Sequence, residues 1–344
     1  MKKIILHVGF NKTATTSIQD SLEKNRDQLL TEGFHYPIFE VENNFISNHS
    51  LPFYTIFSGN VNTYRDLIRL DLTTSVLKVK KIFEKQLDNS LDFEKVIFSG
   101  EHIPLLTKSE LLTLKKRLLS KGHQLEVLCY VRKPYSYLCS EMQQQIKASD
   151  NTLESISVPI KSNQVFKLNE VFGDVKYLSF EKECKHVGGP VGSFISYLDI
   201  DEKKFKIIYK NEGVGNITSR FIAHLNKRHP VIINNKLNPK GRPRNISNFD
   251  SNKFKLTPRE LSTIVETLDV ENAKMGQLLG DTFMDLKPYE TIDKFKLSKE
   301  EAKKMLKLAF NSPLLTTDII DFILKYKDES FNKNWPEKYL KTLG

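Results

Sequence analysis

Through roughly the first 210 residues, short β-branched or aliphatic runs alternate with longer stretches of helical period, a pattern that confines the chain to βαβ units around a parallel sheet. The first strand is read at Lys3 to Val8, a polar turn at Gly9 to Thr13, and a helix at Ala14 to Leu30 with apolar positions at Ile18, Leu22 and Leu29. Further strands are predicted at Lys95 to Ser99, Leu125 to Val131, Val175 to Phe180 and Phe205 to Tyr209. Helices are predicted at Leu72 to Leu87, at Lys108 to Leu119 ended by Gly122, from Pro134 onward, and at Val191 to Leu198. The expected class is α/β, with a parallel sheet of about five strands flanked by helices. Glu40 to Asn62 shows no period and reads as a long irregular stretch that covers a site. Beyond Asn211 the pattern becomes helices separated by polar linkers, including the basic, proline-rich HPVIINNKLNPKGRPRN. Residues 1 to 210 are therefore expected to form the α/β core and 211 to 344 a mostly helical part packing on it, across a soft boundary compatible with a single domain.

Composition narrows the partners. The formal charge of +10 lies partly in Lys78 to Lys85 and Lys294 to Lys307, which read either as solvated helical faces or as long-range attraction for an anionic ligand. The aromatics are not interleaved with arginine in a nucleic-acid-binding pattern, so nucleic acid is not expected as a partner. No run of about 18 apolar residues is present, which excludes a predicted helical span and leaves peripheral membrane contact open. The apolar run Ile4 to Leu6 is too short for a signal-peptide core, so Met1 is the expected mature start. Cys129, Cys139 and Cys184 lack CxxC spacing, so neither a disulfide framework nor a zinc site is expected and a reducing cytoplasm fits.

The string HVGFNKTATTSIQ puts a glycine, a lysine and several hydroxyls between a buried strand and a helix start. A helix N-terminus offers unpaired N–H groups and the positive end of the dipole, which suits phosphate or sulfate. Lys12 adds a point charge, and Thr13, Thr15, Thr16 and Ser17 add hydroxyl donors. The same residues also describe an ordinary strand-to-helix turn capped by Thr13 or Thr15. The Walker A pattern is not met, because Asn11 precedes the lysine and Leu6 stands where its first glycine belongs.

Lys12, Thr13, Ala14, Thr15 and Thr16, in that order after the first strand, resemble the N-terminal loop of the sulfotransferases that use 3′-phosphoadenosine 5′-phosphosulfate (PAPS), particularly the bacterial group that modifies carbohydrates. The departure is Ala14, where that family usually has glycine. A positive φ there would cost alanine on the order of 1 kcal/mol, so either φ is negative or strain is tolerated. A second motif of the family, a strand ending in arginine with a nearby proline and a later serine, is matched by YVRKPYSYLCSEMQQQ through Arg132, Pro134 and Ser140. The resemblance implies a P-loop-like architecture in which Arg132 and Ser140 hold the 3′-phosphate of PAPS and Lys12 stabilises the leaving group, without a metal. It covers about the first 180 residues and fades in the NPKGRPRN region.

The same resemblance implies a hydroxyl acceptor, a glycan or glycolipid, and a general base at the end of a central strand. KVIFSGEHIPLL supplies Glu101 and His102 there, with Glu101 favoured, and the sequence leaves the choice open. His49 is a third candidate base, and His7 reads as a support for the loop. No metal-ligand cluster is visible. Two other readings stay open: a P-loop-like nucleotide kinase or phosphotransferase, which a magnesium requirement would reveal, and a noncatalytic binder of an anionic nucleotide or glycan.

Overall fold

The computed structural model describes residues 2–148, 152–210, 213–233, 236–293 and 295–343. Met1, the boundary residue Asn211, Asn234 and Asn235 of the basic linker, and Lys294 at the head of the second lysine-rich stretch lie outside the described residues. In chain order the elements are β1 (Lys3–His7), α1 (Thr15–Lys24), α2 (Arg26–Thr31), β2 (Phe39–Val41), β3 (Asn44–Ile46), α3 (Ser50–Phe57), α4 (Arg65–Ile68), α5 (Val76–Ser90), β4 (Lys95–Ser99), α6 (Lys108–Leu118), β5 (Gln124–Val131) and α7 (Pro134–Ala148). They continue with α8 (Ser162–Phe172), β6 (Val175–Ser179), α9 (Phe180–Glu183), α10 (Gly189–Tyr197), α11 (Asn216–Asn226), β7 (Ile232–Ile233), β8 (Lys236–Leu237), α12 (Pro258–Ser262), α13 (Val265–Leu279), α14 (Lys299–Asn311), α15 (Thr316–Tyr326) and α16 (Trp335–Lys341). The chain divides into two compact units, and the division is not a single cut: the first holds residues 1–134, 160–211 and 271–284, the second 135–159, 212–270 and 285–344.

The first unit is an α/β fold. Its central sheet has the order β4-β1-β5-β6, every neighbouring pair parallel, and His35 adds a fifth, single-residue parallel bridge beside Val96 on the β4 edge. The central strands are aliphatic and almost wholly buried because helices cover both faces of a parallel sheet. On one face Ile5, Ile97 and Leu128 pack with Ile18 and Leu22 of α1 and Val191, Phe194 and Ile195 of α10. On the other, Phe98 meets Phe53 of α3 at a ring separation of 5.0 Å.

Three sequence expectations change here. Glu40 to Asn62 is not irregular: β2 and β3 form an antiparallel hairpin whose turn residues, Glu42 and Asn43, both have positive φ (45° and 63°), and α3 follows. The helix was hidden because SLPFYTIF is apolar on nearly every side and so has no period to read. The helix expected over Ala14 to Leu30 breaks at Asn25, whose φ of −111° separates α1 from α2.

The third change explains that break. Phe205 to Tyr209 is not a strand of the sheet; it runs as an extended strap along α1. Lys206 N–H donates to Asn25 Oδ1, Ile208 N–H to Ser21 Oγ and Lys210 N–H to Ser17 Oγ, each at 2.9 Å. Four helical residues rise about 6 Å and two extended residues about 6.6 Å, so a polar side chain on every fourth helical position meets every second strap amide. Asn25 both accepts from Lys206 N–H and donates to its carbonyl at 2.9 Å, standing in for a neighbouring strand.

The second unit is mostly helical, with a short hairpin of β7 and β8. One apolar cluster gathers Phe221, Met305, Leu306, Ile319 and Phe322, and another gathers Leu138, Met142, Ile222, Leu256 and Leu268. Arg220 donates to both carboxylate oxygens of Glu260 (2.7 and 2.9 Å) with its guanidinium between the rings of Phe254 and Phe295. In the basic linker, Arg242 is only 3% exposed and donates from Nη2 to the carbonyls of Ile146 and Lys147, closing the C-terminus of α7. That cation serves the fold. Among the described residues no helix is long and apolar enough to cross a membrane.

Candidate functional site

In a parallel sheet all strands end on the same side, so the loops leaving β4, β1, β5 and β6 stand next to one another. After those strand ends come, in that spatial order, Glu101 and His102, the Lys12 turn, Arg132, and Phe180 with Glu181 at the start of α9.

The turn after β1 is tight. Lys12 and Ala14 both adopt the left-handed conformation, at φ 68° and 62°. The strain foreseen for alanine is therefore present and tolerated, and such backbone strain persists only where surrounding structure holds it. Thr13 Oγ1 is turned inward and donates to the Phe10 carbonyl at 2.5 Å, so it does not cap the helix. Ala14 is the N-cap of α1 and has no side-chain acceptor to offer, where a serine, threonine or aspartate would occupy one of the first free N–H groups. Thr15 Oγ1, at the first helical position, is buried and makes no hydrogen bond among the described residues. Gly9 allows this closeness: a Cβ there would sit 2.6 Å from Thr15 Oγ1 and 3.2 Å from both Thr13 Oγ1 and His7 Nε2. Thr16 is half-buried on the next helical position. The result is an uncapped helix N-terminus with an unpaired hydroxyl, chemistry that fits a phosphate or sulfate oxygen.

Arg132 reaches this turn. Its Nη1 donates to the Lys12 carbonyl at 3.3 Å, its Nε lies 3.8 Å from Glu181 Oε1, and its guanidinium covers the Phe180 ring at 5.1 Å. Glu181 also accepts from Lys133 N–H at 3.3 Å, which anchors the loop after β5 to the end of β6. Ser140 is half-buried on α7 and belongs to the second unit. No family model, curated protein or solved structure matches the chain. The chemistry of this edge is therefore read from its own residues.

The histidines separate into two kinds. His7 is fully buried, with Nδ1 2.8 Å from Ser99 Oγ, and desolvation pushes its pKa down to about 3. It braces β1 against β4 as an uncharged ring. His49 is equally buried, and both ring nitrogens serve the backbone: Nδ1 accepts from Ser99 N–H at 2.9 Å and Nε2 donates to the Pro37 carbonyl at 2.8 Å. Burial lowers its pKa to about 3, with the Pro37 bond opposing. With no free nitrogen and no exposure, His49 leaves the set of candidate bases; sequence alone cannot tell a surface loop histidine from a buried latch.

His102 differs. Its side chain is 20% exposed, with Nδ1 2.7 Å from the Tyr64 hydroxyl and 3.5 Å from Asp66 Oδ2, and Nε2 3.9 Å from Glu101 Oε1. Its main-chain N–H donates to Ser50 Oγ at 3.1 Å, and Gly100 N–H donates to the His7 carbonyl at 3.0 Å, so both candidate bases stand on a loop tied to β1 and α3. Gln19 of α1 adds a cross-brace from Nε2 to the Ser99 carbonyl at 3.0 Å. Tyr64, Asp66, Phe180 and Glu181 were not singled out from sequence; only the last two, directly after a strand, carried a positional signal. Lys161, whose ammonium lies 5.7 Å from the centre of the Phe10 ring, is a further cation beside the turn.

Proposed function

We propose that the protein transfers a sulfuryl group from PAPS to a hydroxyl acceptor of the carbohydrate class, at the carboxyl edge of its parallel sheet. The observation that carries the reading is the uncapped N-terminus of α1, where Ala14 supplies no cap, Thr15 Oγ1 is buried without a partner, and Arg132 donates to the Lys12 carbonyl. Two cationic residues thus belong to one uncapped turn and its neighbour, which supports a nucleotide with two anionic ends as the ligand. The motif order around Lys12 and Arg132 supports PAPS over other anions by resemblance. Ser140 enters the reading by resemblance alone.

Sulfuryl transfer relies on placement and charge stabilisation around an in-line displacement. The α1 N–H groups and the Thr15 and Thr16 hydroxyls would hold the 5′-phosphosulfate, and Lys12 would offset charge growing on the bridging oxygen as the S–O bond breaks. Arg132 would grip the 3′-phosphate through its fork. Glu101 or His102 would take the acceptor's proton.

Calorimetric titration with adenosine 3′,5′-bisphosphate tests the site. The wild type should bind, and Lys12→Ala and Arg132→Ala should each lose about 1 to 3 kcal/mol of binding. Equal affinity in all three proteins would remove the assignment. Binding with no PAPS-dependent transfer to any hydroxyl acceptor would favour a noncatalytic nucleotide-binding role.

A further inference from the structure

We infer that the β7–β8 ribbon and the turn after it form a docking surface for an anionic lipid bilayer. Ile232, Ile233 and Leu237 enter the interfacial layer, and Lys236, Lys240 and Arg244 meet the lipid phosphates. The basic, proline-rich linker that carries them takes no part in the sulfuryl-transfer reading, so the inference stands independently of it.

Charge is spread unevenly along the chain. Between Gly213 and Phe249 the sequence has no Asp or Glu and seven Lys or Arg. Four of those cations are already engaged: Arg220 with Glu260, Lys227 with Glu154, Arg228 with Asp318 and Asp321, and Arg242 with the carbonyls that end α7. Lys236, Lys240 and Arg244 are exposed and make no ion pair among the described residues. The next carboxylate along the chain, Asp250, is buried and accepts from the N–H groups of Ile217 and Thr218 at 3.1 Å, so it does not offset them. Three cations without a counter-ion on one short segment attract an anionic surface.

The apolar side chains decide which anionic surface. Ile232 and Leu237 are directly opposed and share one face of the ribbon, with Ile233 and Lys236 opposed on the other. Ile232, Ile233 and Leu237 are 38%, 48% and 59% exposed, and among the described residues the ribbon pairs with no further strand. A two-stranded ribbon is at best marginally stable alone. This one is held from its base: Asn238 N–H donates to the Val231 carbonyl at 2.9 Å, Asn238 Nδ2 to the Pro230 carbonyl at 2.8 Å, and Arg242 N–H to the His229 carbonyl at 3.0 Å. Gly241 permits that close return, since a Cβ there would lie 2.6 Å from the Pro230 oxygen. Lys240 stands in the turn closed by Gly241 N–H on the Asn238 carbonyl at 3.0 Å, at most about 11 Å along the chain from Leu237. The fold therefore keeps three large aliphatic side chains in water beside unpaired cations. Single-stranded nucleic acid would supply phosphates, but its bases stack on aromatic rings, which this surface does not offer. A bilayer supplies both parts, phosphates for the cations and the acyl boundary for the aliphatic chains, with the lysine stems lying along the apolar layer.

Cosedimentation of the full chain with vesicles of phosphatidylcholine, alone or with about 30% phosphatidylserine, tests the surface. The wild type should bind the anionic vesicles at least about tenfold more tightly than the neutral ones, and added salt should weaken that binding. Lys236→Gln, Lys240→Gln and Arg244→Gln should each lower affinity about fivefold, and the triple variant about 100-fold. Ile232→Ser with Leu237→Ser keeps every charge and should still lower affinity about tenfold. All five substitutions are at solvent-facing side chains, so the urea midpoint should stay at the wild-type value, which separates lost docking from lost folding. Equal binding to the two vesicle types, or full binding by the Ile232→Ser, Leu237→Ser variant, overturns the inference, the latter by showing adsorption to any polyanion. A wild-type dimer that Leu237→Ser disperses in analytical ultracentrifugation overturns it as well, by making a second copy the occupant.

Discussion

Arg132 donates from Nη1 to the main-chain oxygen of Lys12, 3.3 Å away, so the arginine at the end of β5 supports a loop residue whose own backbone is left-handed. It does this while covering Phe180 with its guanidinium face. The two together suit a planar guanidinium: an ammonium has three N–H donors but no flat face, and its donors are not held in a fixed fork.

Arg132→Lys is therefore expected to behave as a loss, not a conservative change. Affinity for adenosine 3′,5′-bisphosphate should fall by about tenfold, a little over 1 kcal/mol, in calorimetry at constant ionic strength. Full retention of affinity would show that charge alone is used at this position.

Ala14 makes a prediction of the opposite sign. At φ 62° a glycine is free of the strain alanine bears, so Ala14→Gly should stabilise the fold by up to about 1 kcal/mol, read as a higher urea midpoint at unchanged slope. Gly9→Ala, by contrast, drives a methyl to within 2.6 Å of Thr15 Oγ1 and should cost about 1 to 3 kcal/mol. If Ala14→Gly destabilises the protein, the left-handed turn is not its ground state.

What sequence reveals depends on the range over which a residue acts. Arg132 is legible because it directly follows a buried strand, and Lys12 because it stands in the short turn between a buried strand and a helix start; the parallel sheet then brings the two segments together. Tyr64 and Asp66 are not legible, because they sit around the short helix α4 and meet His102 only through tertiary packing. His49 reads in sequence as a loop histidine because its polar neighbours carry no mark of burial, yet it is fully buried. The 205–210 strap was misread for another reason: its extended backbone is satisfied by helix side chains, and a strand-like sequence does not say which partner it has.

The two latched histidines set an acid limit on stability. In the folded chain His7 and His49 stay neutral down to about pH 3, whereas unfolded each takes a proton near 6.5. Their folded pKa values are depressed, so the stability from holding them neutral is complete above pH 6.5 and is lost as pH falls toward 3, at about 1.4 kcal/mol per pH unit for each ring. Urea unfolding at pH 7.0, 5.5 and 4.5 should show this slope. His49→Gln should reduce it by close to one proton's worth while lowering stability at pH 7; an unchanged slope would mean His49 is solvated.

The strap along α1 offers a last test, of backbone pairing outside the sheet. Ser21 is fully buried and its Oγ accepts from Ile208 N–H at 2.9 Å, between the equivalent bonds of Asn25 to Lys206 and Ser17 to Lys210. Ser21→Ala removes the middle acceptor without altering the helix, since alanine is the better helix former. The expected cost is about 1 kcal/mol, concentrated in the strap because the amide of Ile208 loses its partner. Hydrogen exchange should then speed up by about tenfold at Ile208, with smaller increases at Lys206 and Lys210 and no change in β1 or β5. Asn25→Ala, which deletes both a donor and an acceptor facing Lys206, should have a larger effect and also let α1 and α2 fray at their junction. Were Ile208 to exchange at the wild-type rate in Ser21→Ala, the hydroxyl would not be its partner, and the alignment of every fourth helical residue with every second strap amide would be coincidental.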